Sequence, residues 1–549
     1  MSKIKFTLTI SLFLVLFANK SLWLELLKIY NNSQQNIFFI ISIFLFLVVF
    51  IHLCLTIVSF KYIFKPVIIF ILLTASLAAY FMNSYGIMID RSMIRNVMET
   101  DINEAKGLFN PAIFLYLISL GIIPSLFVYR LRLDDKPLFK ELLSKIITVG
   151  ISLLLLIAIV FPFYKDYLSL GKNYKYIRHL VNPVNYIYAV SSYTKRTLTQ
   201  KNIPLKSLGT DAVLVTDWQQ RGKKNLVILV VGEAARAVNF SLNGYPKETN
   251  PRLSKEKIFN FSNTYSCGTA TAASVPCMFS HFNRDNYSRD KADHNENLLD
   301  VLTHAGIKVL WRDNNSGCKG VCERVETENM EHLHIPGFCG GEECFDMVML
   351  DNLQNYVDKL DSDALIVLHQ KGSHGPGYFL RHPAEFSTFS PECTTNQLQE
   401  CTQDEVTNAY NDTLLYTDYF LAQVIGFLQD NGKEFNTAMI YMSDHGESLG
   451  ENGIYLHGLP YFIAPNEQKH IPFIVWLSPE YMNFTGINPK SLKSQGEAKF
   501  SHDNLFHSVL GLMGVKTRSY NQNLDIFAGC RTTVLDTKLA RQRINESAP

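Results

Sequence analysis

The sequence has almost no net charge and no run of basic residues. Its 549 residues include 51 Lys and Arg against 50 Asp and Glu, which gives a formal net charge of +1. Such a chain has no general attraction to polyanions, and nucleic-acid-binding proteins usually carry a clustered basic surface. We therefore expect no nucleic-acid partner. The sequence also lacks internal repeats and low-complexity segments, which excludes repeat architectures and biased, disordered classes.

Long hydrophobic stretches are concentrated in the first third of the chain. Five of them approach the roughly 20 apolar residues that a membrane-spanning helix needs. They lie at residues 6–27, 37–58, 67–89, 112–129 and 146–164. Lys20 and Glu25 interrupt the first stretch, for which a cleaved signal peptide is the alternative interpretation. Because no small-residue cleavage site follows Leu16, we favour a retained helix. The few charged residues within the spans disfavour a transporter.

Basic residues between the spans predict the orientation of the chain. Lys3 and Lys5 precede the first span, Lys61 and Lys65 separate the second from the third, and five more Lys or Arg precede the fifth. The positive-inside rule assigns these loops and the N-terminus to the cytoplasm. Five spans then place the rest of the chain in the periplasm of a Gram-negative cell. We predict a multi-pass inner-membrane protein with a transmembrane domain at 1–165, an interfacial connector at 166–205 and a periplasmic catalytic domain at 206–549.

Eight of the ten cysteines form four closely spaced pairs after the predicted membrane domain. The pairs are Cys267 with Cys277, Cys318 with Cys322, Cys339 with Cys344, and Cys393 with Cys401. Such spacing favours small-loop disulfides in an oxidising compartment, in agreement with the predicted topology. A zinc–thiolate site is the alternative, and no second CxxC or matching histidine spacing supports it.

The composition changes after the fifth span. Residues 166–205 mix Tyr, Lys and Arg with aliphatic side chains, which is typical of a segment at the lipid headgroups. An amphipathic linker helix packed on the soluble domain explains the same composition equally well.

Beyond the connector, apolar runs that begin at Leu226, Ile307, Ala364 and Thr437 alternate with longer helical patterns such as 408–431. Runs without polar alternation are typical of strands buried on both faces of a parallel sheet, so we predict an α/β domain.

Polar residues follow each of the four predicted strands. They are Glu233, then Arg312 with Asn315, then His369 with His374, then Asp444 with His445. Ligands of an open α/β sheet bind at the carboxyl ends of its strands, so these groups should meet at one edge. Each alone is more typical of a helix cap or a surface charge, but together they predict a site. Glu233, Asp444 and His445 form a set that suits a catalytic Zn²⁺ with an open coordination position. Gly446 would permit the sharp turn there.

The segment SCGTATAASVPCMFS at 266–280 offers hydroxyl groups as candidate nucleophiles. Thr269 and Thr271 precede residues able to form a helix, whose N-terminus would bind a phosphate group. A hydroxyl needs a base or a metal ion to react as an alkoxide. Helix capping is the commoner role of such a threonine, and the residues alone do not distinguish Thr271 from Thr269.

Three further residues lie in glycine-flanked segments that favour exposed loops. Lys319, His374 and His457 are candidate partners of phosphate oxygens or of a second metal ion. Single histidines in soluble domains are more often structural.

Several of these segments together resemble the lipid A phosphoethanolamine transferases, which include the colistin-resistance enzymes. The segments are VVGEAARAVNFSLNGYPKETNP, SCGTATAASVPCMFS, WRDNNSGCKGVC, GSHGP and SDHGESLGENGIYLHGLPY. The resemblance covers essentially the whole chain. It implies an α-helical transmembrane domain followed by an α/β domain of the alkaline-phosphatase/sulfatase type, a mixed sheet flanked by helices.

The resemblance also implies roles for individual residues. Zinc would be bound by Glu233, Thr271, Asp444 and His445, with Thr271 as the nucleophile. The implied substrate-binding or second-zinc residues are Asn315, Lys319, His374 and His457. In the loop between the third and fourth spans, Asn96, Thr100 and Glu104 match residues that contact the lipid substrate. The cysteine pairs resemble the disulfide framework of the family.

The implied activity is zinc-dependent transfer of phosphoethanolamine from phosphatidylethanolamine to a lipid A phosphate, through a covalent intermediate on Thr271. We expect a monomer with one tightly bound Zn²⁺, with a second Zn²⁺ as the alternative, and resistance to polymyxin and cationic peptides. A lipopolysaccharide core sugar or a protein is the alternative acceptor, and phosphoglycerol the alternative group. A sulfatase-type hydrolase is disfavoured because a threonine cannot become formylglycine. A non-catalytic metal-binding module is disfavoured because all four implied ligands are present.

Overall fold

The computed structural model describes residues 1–30, 34–99, 110–134, 137–200, 203–215, 222–331, 333, 335–340 and 343–531. The chain divides into two compact units. One comprises Met1–Met98 and Phe109–Lys201, and the other comprises Glu99–Leu108 and Asn202–Pro549.

The described part of the first unit is built from α-helices and shorter helical turns. The α-helices are α1 (Lys3–Phe17), α2 (Lys20–Ile29), α3 (Gln34–Ile57), α4 (Phe64–Tyr85), α5 (Arg91–Glu99), α6 (Pro111–Tyr116), α7 (Ile123–Arg130), α8 (Leu138–Val160), α9 (Tyr164–Asn173) and α10 (Val184–Gln200). Four helical stretches are long and apolar enough to cross a membrane. A fifth is counted if the bent pair α1 and α2 is one span.

The first predicted span differs from a single straight helix. Its two halves, α1 and α2, are bent by 61°, and the break falls at Ala18 and Asn19. The side chain of Asn19 is buried and donates a hydrogen bond to the carbonyl oxygen of Leu14 at 2.9 Å. An Asn side chain that bonds the backbone competes with the helical hydrogen bonds. This explains why an apolar stretch of sufficient length does not continue as one helix.

The second unit contains a seven-stranded mixed sheet with small two- and three-stranded sheets around it. The strands are β1 (Val213–Leu214), β2 (Lys224–Gly232), β3 (Ile258–Asn260), β4 (Thr264–Tyr265), β5 (Lys308–Asp313), β6 (Glu326–Asn329), β7 (Cys339–Gly340), β8 (Glu343–Cys344), β9 (Ala364–His369), β10 (Phe435–Ser443), β11 (Ser448–Leu449), β12 (Tyr455–Leu456), β13 (His470–Ile471), β14 (Phe473–Leu477), β15 (Phe500–Ser501) and β16 (Val515–Lys516). The large sheet has the order β3-β14-β10-β2-β9-β5-β6. Its strands β10, β2, β9, β5 and β6 are parallel, whereas β14 and β3 are antiparallel to their neighbours.

Helices cover both faces of this sheet. They are α11 (Thr271–Met278), α12 (Arg289–Asp293), α13 (Leu298–His304), α14 (Leu353–Val357), α15 (Gln403–Asp430), α16 (Pro479–Thr485), α17 (Pro489–Lys493) and α18 (Asp503–Leu512). Along β2, Val227 and Val231 enter the core shared with α13 and α18, whereas Ile228 and Val230 enter the core shared with α15. Alternate side chains of a strand point to opposite faces. A strand buried on both faces therefore requires an uninterrupted apolar run. The predicted α/β class and mixed sheet are confirmed.

The eight paired cysteines form four disulfides with the predicted partners. These are Cys267–Cys277, Cys318–Cys322, Cys339–Cys344 and Cys393–Cys401. Cys54 and Cys530 carry free thiols. Each disulfide closes a loop of ten residues or fewer in sequence separation, so each restrains a local segment of the unfolded chain.

Candidate active site

The carboxyl ends of β2 and β10 bring two carboxylates and an imidazole together. Glu233 follows β2, and Asp444 and His445 follow β10, the neighbouring parallel strand. All three side chains are almost completely buried. The Asp444 carboxylate accepts hydrogen bonds from the N–H groups of Ala234 and His445 at 3.2 and 2.7 Å. The register of two adjacent strands thus assembles this part of the site.

Thr271 begins α11 and faces this cluster. Its Oγ1 donates a hydrogen bond to Glu233 Oε2 at 3.0 Å and lies 3.3 Å from His445 Nε2. The N-cap residue of α11 is Ala270, so the Thr271 hydroxyl does not cap the helix. Thr269 instead donates its hydroxyl to the carbonyl oxygen of Leu459 at 2.6 Å. The geometry therefore distinguishes the two threonines, which the residues alone left open.

The donor atoms around Thr271 fit a metal ion. His445 Nδ1 lies 2.8 Å from the carbonyl oxygen of Gly446, and a carbonyl oxygen only accepts, so Nδ1 carries the proton of the neutral ring. The other ring nitrogen, Nε2, lies 3.3 Å from Glu233 Oε1 and 3.3 Å from Asp444 Oδ2. Both of these carboxylate oxygens are buried and have no hydrogen-bond partner in the described part of the chain. Carboxylate oxygens without other partners, beside an imidazole nitrogen, are donors that zinc prefers.

The electrostatics of this cluster favour a positive charge at its centre. Burial opposes the charged imidazole, but the carboxylates of Asp444 and Glu233 raise the pKa of His445 to about 10. Burial, with the nearby Glu233 carboxylate, raises the pKa of Asp444 to about 6. Two buried carboxylates with oxygens within 4.8 Å of each other cannot both be ionised cheaply without a cation between them. A divalent ion would provide that charge.

Asn315 positions Glu233. Its Nδ2 donates to Glu233 Oε2 at 2.9 Å and to the carbonyl oxygen of Gln370 at 2.8 Å, and the side chain is buried. Lys319 lies in the same loop, where its Nζ donates to the carbonyl oxygen and hydroxyl of Ser316. The structure thus places Asn315 at the cluster and Lys319 in the loop beside it.

Of two further predicted histidines, His457 lies next to His445 and His374 lies next to His457. The ring of His457 is 4.3 Å from the ring of His445, and the ring of His374 is 5.6 Å from that of His457. His457 Nδ1 contacts Glu447 Oε2 at 3.0 Å. The ligand atoms of His445, Glu447 and His457 lie within 4.8 Å of one another. The sequence analysis did not identify Glu447. Its position three residues after Asp444, at the same end of β10, is the signal that could have indicated it.

The end of β5 differs from the prediction. Arg312 turns away from the cluster, donates to the carbonyl oxygens of Met349 and Asp351, and pairs with Glu328. The adjacent Asp313 points to the other face, because neighbouring side chains alternate along a strand.

Asp313 is thus a site-forming residue that sequence reasoning missed. Asp313 Oδ2 contacts His369 Nδ1 at 3.0 Å and accepts a hydrogen bond from the indole of Trp311 at 2.7 Å. Its other oxygen accepts from the backbone N–H of Asn315 at 2.9 Å. Asp313 therefore fixes the loop that carries Asn315.

Two other residues outside the predicted set hold the threonine segment in place. Arg289 donates to the carbonyl oxygens of Ala272 and Lys319 at 2.5 and 2.8 Å. His502 accepts a hydrogen bond from the N–H of Cys267 at 3.1 Å, and its Nε2 contacts the carbonyl oxygen of Ser443 at 2.9 Å. These contacts tie the start of α11 to the Lys319 loop and to the end of β10.

The predicted lipid-binding loop is only partly described. Asn96 lies in α5. Thr100 and Glu104 lie outside the described residues, so their role stays a prediction.

Gly446 has a steric role that differs from the predicted one. Its φ lies outside the left-handed region, so no special turn conformation requires glycine. A Cβ atom at this position would instead overlap the carbonyl oxygen of Glu467. Because the clash is with backbone, we expect Gly446→Ala to destabilise the second unit by about 3 kcal/mol. A lower Tm of the detergent-purified chain would show this.

Gly426, inside α15, provides the matched control. A Cβ atom there would meet no other atom within 4 Å. Replacing a helical glycine by alanine stabilises a helix by roughly 0.5–1 kcal/mol, so Gly426→Ala should leave the Tm unchanged or raise it. Equal thermal stability of Gly446→Ala and the unmodified chain would contradict the steric explanation.

Comparison with known proteins identifies first the class and then the family. Residues 225–515 match the family model described as Sulfatase, so the second unit is a sulfatase-type domain. Residues 47–198 match the model described as Phosphoethanolamine transferase EptA/EptB. The chain belongs to the phosphoethanolamine transferase family.

Individual relatives support this assignment over most of the chain. The chain is 43% identical to phosphoethanolamine transferase EptA of Escherichia coli (strain K12) over 505 residues, 91% of this chain and 92% of the relative. It is 37% identical to phosphatidylethanolamine transferase Mcr-1 of Escherichia coli over 518 residues, 92% and 94% of the two chains. The solved structure of the integral membrane protein lipooligosaccharide phosphoethanolamine transferase A from Neisseria meningitidis matches with a TM-score of 0.93 and 35% identity, covering 97% of this chain and 99% of that one. The predicted family, enzyme class and fold are confirmed.

Proposed function

We propose that the chain transfers phosphoethanolamine from phosphatidylethanolamine to a phosphate group of lipid A, with Thr271 as the nucleophile. The observation that carries the proposal is the buried Thr271 hydroxyl, hydrogen-bonded to Glu233 and in contact with His445. Relatives named for Kdo(2)-lipid A and for lipooligosaccharide support an acceptor of this class.

The chain's own residues account for the first half-reaction. Glu233 Oε2 accepts the hydroxyl proton of Thr271 as Oγ1 attacks the phosphorus of phosphatidylethanolamine. The bond from phosphorus to the diacylglycerol oxygen breaks, and phosphoethanolamine remains on Thr271. A zinc ion bound by Glu233, Thr271, Asp444 and His445 would lower the pKa of the hydroxyl and polarise the phosphoryl oxygen.

We assign proton transfer at both substrates to His457. Its Nδ1 is held by Glu447 at 3.0 Å, which leaves Nε2 for substrate. The protonated ring would give a proton to the leaving diacylglycerol oxygen. The neutral ring would then take one from the lipid A phosphate as that oxygen attacks the phosphorus held on Thr271. The bond from phosphorus to Thr271 Oγ1 would break, and Glu233 would return its proton to Oγ1. We assign binding of the same substrate oxygens to His374, whose ring lies 5.6 Å from that of His457.

The membrane part supports a location at the lipid substrates. Helices of sufficient length and hydropathy precede the sulfatase-type domain, and we propose that they span the inner membrane with the N-terminus in the cytoplasm. The catalytic domain would then lie in the periplasm, beside both lipids, and the protein would act as a monomer. Confinement to the surface that carries the substrates raises their effective concentration.

Mass spectrometry of lipid A tests the proposed function. We expect expression in a polymyxin-sensitive Gram-negative strain to add a phosphoethanolamine-sized mass to lipid A and to raise the polymyxin concentration that the strain survives. The added ammonium group reduces the negative charge that attracts cationic peptides. A strain with the empty vector is the control. The same mass increase on the core oligosaccharide alone would contradict lipid A as the acceptor.

A further inference from the structure

A second cluster of metal-binding side chains lies apart from the candidate active site. His382 and Glu392 belong to the segment between β9 and α15, and Asp412 belongs to α15. One ligand atom from each lies within 4.8 Å of the other two. None of the three takes part in the site around Thr271. We propose that His382, Glu392 and Asp412 bind a structural zinc ion.

His382 presents a free nitrogen to this cluster. The residue is 3% exposed, and its Nδ1 lies 3.1 Å from the carbonyl oxygen of Pro383. That carbonyl can only accept, so Nδ1 carries the proton of the neutral ring and Nε2 holds a lone pair. Nε2 has no hydrogen-bond partner in the described part of the chain. Metal-binding histidines commonly donate their other ring nitrogen to a carbonyl oxygen in this way.

Two carboxylates face that nitrogen. Glu392 Oε1 lies 3.6 Å from His382 Nε2, and this buried oxygen has no hydrogen-bond partner among the described residues. Asp412 is fully buried and accepts hydrogen bonds from the backbone N–H groups of Thr388 and Phe389 at 2.9 and 3.1 Å. Both of these bonds reach Oδ1. Among the described residues, the other oxygen, Oδ2, has a longer hydrogen bond from the N–H of Phe389, at 3.4 Å. The cluster therefore offers one nitrogen and two oxygens.

An ion pair between His382 and Glu392 is the alternative explanation. The 3.6 Å separation exceeds hydrogen-bond distance. The nearby cation, Lys247, is engaged with Asn408 and packs 5.6 Å from the ring of Phe389.

The donor types favour zinc over calcium or magnesium. Calcium and magnesium in proteins take oxygen ligands, whereas zinc readily combines imidazole nitrogen with carboxylate oxygen. Three protein ligands leave the fourth tetrahedral position to a water molecule. The ion would join the segment 382–392 to α15.

This position also connects the proposed ion to the site around Thr271. Arg381, which directly precedes His382, donates from Nε to the carbonyl oxygen of His374 at 2.8 Å. On the other side, Glu392 directly precedes Cys393 of the Cys393–Cys401 disulfide. A zinc ion at His382 would thus hold the end of the loop that presents His374.

Zinc content of the full-length chain in detergent tests the proposal. After dialysis against zinc and removal of unbound metal, elemental analysis should find one zinc ion fewer per chain in His382→Ala and in Glu392→Gln than in the unmodified chain. Glu385→Gln, which alters an exposed carboxylate of the same segment, should retain the full content. Equal zinc content in all four chains would overturn the proposal.

A second measurement separates this ion from the one at Thr271. In an Asp444→Asn, His445→Ala background, zinc should still raise the Tm, because the His382 cluster remains intact and a ligand that binds the folded state stabilises it. Adding the nearly isosteric change Glu392→Gln should remove that rise. A rise of equal size with and without Glu392→Gln would overturn the proposal, whether or not His382→Ala folds.

Discussion

Replacement of Thr271 by alanine is expected to abolish transfer while the chain still folds and binds zinc. The substitution removes the only hydroxyl that contacts both Glu233 and His445 among the described residues. Without it no covalent phosphoethanolamine adduct can form, and loss of a nucleophile costs at least about 10³-fold in rate. Diacylglycerol release from phosphatidylethanolamine vesicles and the intact mass of the protein measure the two consequences separately.

Thr269→Ala is the matched control for this experiment. Thr269 lies two residues earlier and loses only its hydrogen bond to the carbonyl oxygen of Leu459. We expect this variant to form the adduct and to retain most of its activity. Thr271→Ser keeps a hydroxyl and should retain part of the activity. An adduct that persists in Thr271→Ala but disappears in Thr269→Ala would assign the nucleophile to the other threonine.

Glu233→Gln is expected to weaken zinc binding and to reduce transfer by about 10²-fold or more. The change keeps the shape of the side chain but removes a buried negative charge that lies 3.3 Å from His445 Nε2 and accepts the hydrogen bond of Thr271. The amide loses one of the anionic oxygens that the ion needs, and it cannot accept the hydroxyl proton as a carboxylate does. Competition with a chelator gives the zinc affinity, and vesicle assays give the rate.

Glu331→Gln controls for the general effect of neutralising a buried carboxylate. Glu331 is 3% exposed and pairs with Lys371 at 2.5 Å, so its replacement leaves the buried ammonium with the longer ion pair to Glu343 at 3.5 Å. We expect a lower Tm but unchanged zinc affinity. Zinc binding by Glu233→Gln as tight as that of the unmodified chain would remove Glu233 from the proposed ligand set.

The parts of the site that follow the long central strands could be predicted from the sequence. Uninterrupted apolar runs identify strands buried on both faces, and the residue after each run marks the sheet edge where ligands bind. This argument found Glu233, Asp444 and His445. It failed at β5, where strand alternation decides which of two adjacent polar residues faces the site, and Asp313 was missed in favour of Arg312.

Other features depend on contacts that no local pattern reveals. Which threonine faces the carboxylates depends on where α11 begins, and Ala270 rather than a polar residue forms its N-cap. The requirement for glycine at 446 comes from the backbone of Glu467, some twenty residues later in the chain. The bend in the first apolar stretch results from a single buried Asn19 side chain. These are tertiary effects that outweigh local preference.

The parallel pairing of β2 with β10 has a consequence for the order in which the site forms during synthesis. The hydrogen bond from the N–H of Ala234 to Asp444 joins residues 210 positions apart, and such distant contacts form late in folding. A nascent chain exposes Glu233 and Thr271 long before β10 emerges. Export must therefore be nearly complete before an ion could meet the proposed ligand set of Glu233, Thr271, Asp444 and His445. A truncated chain that ends before β10 would reach the membrane without Asp444 and His445.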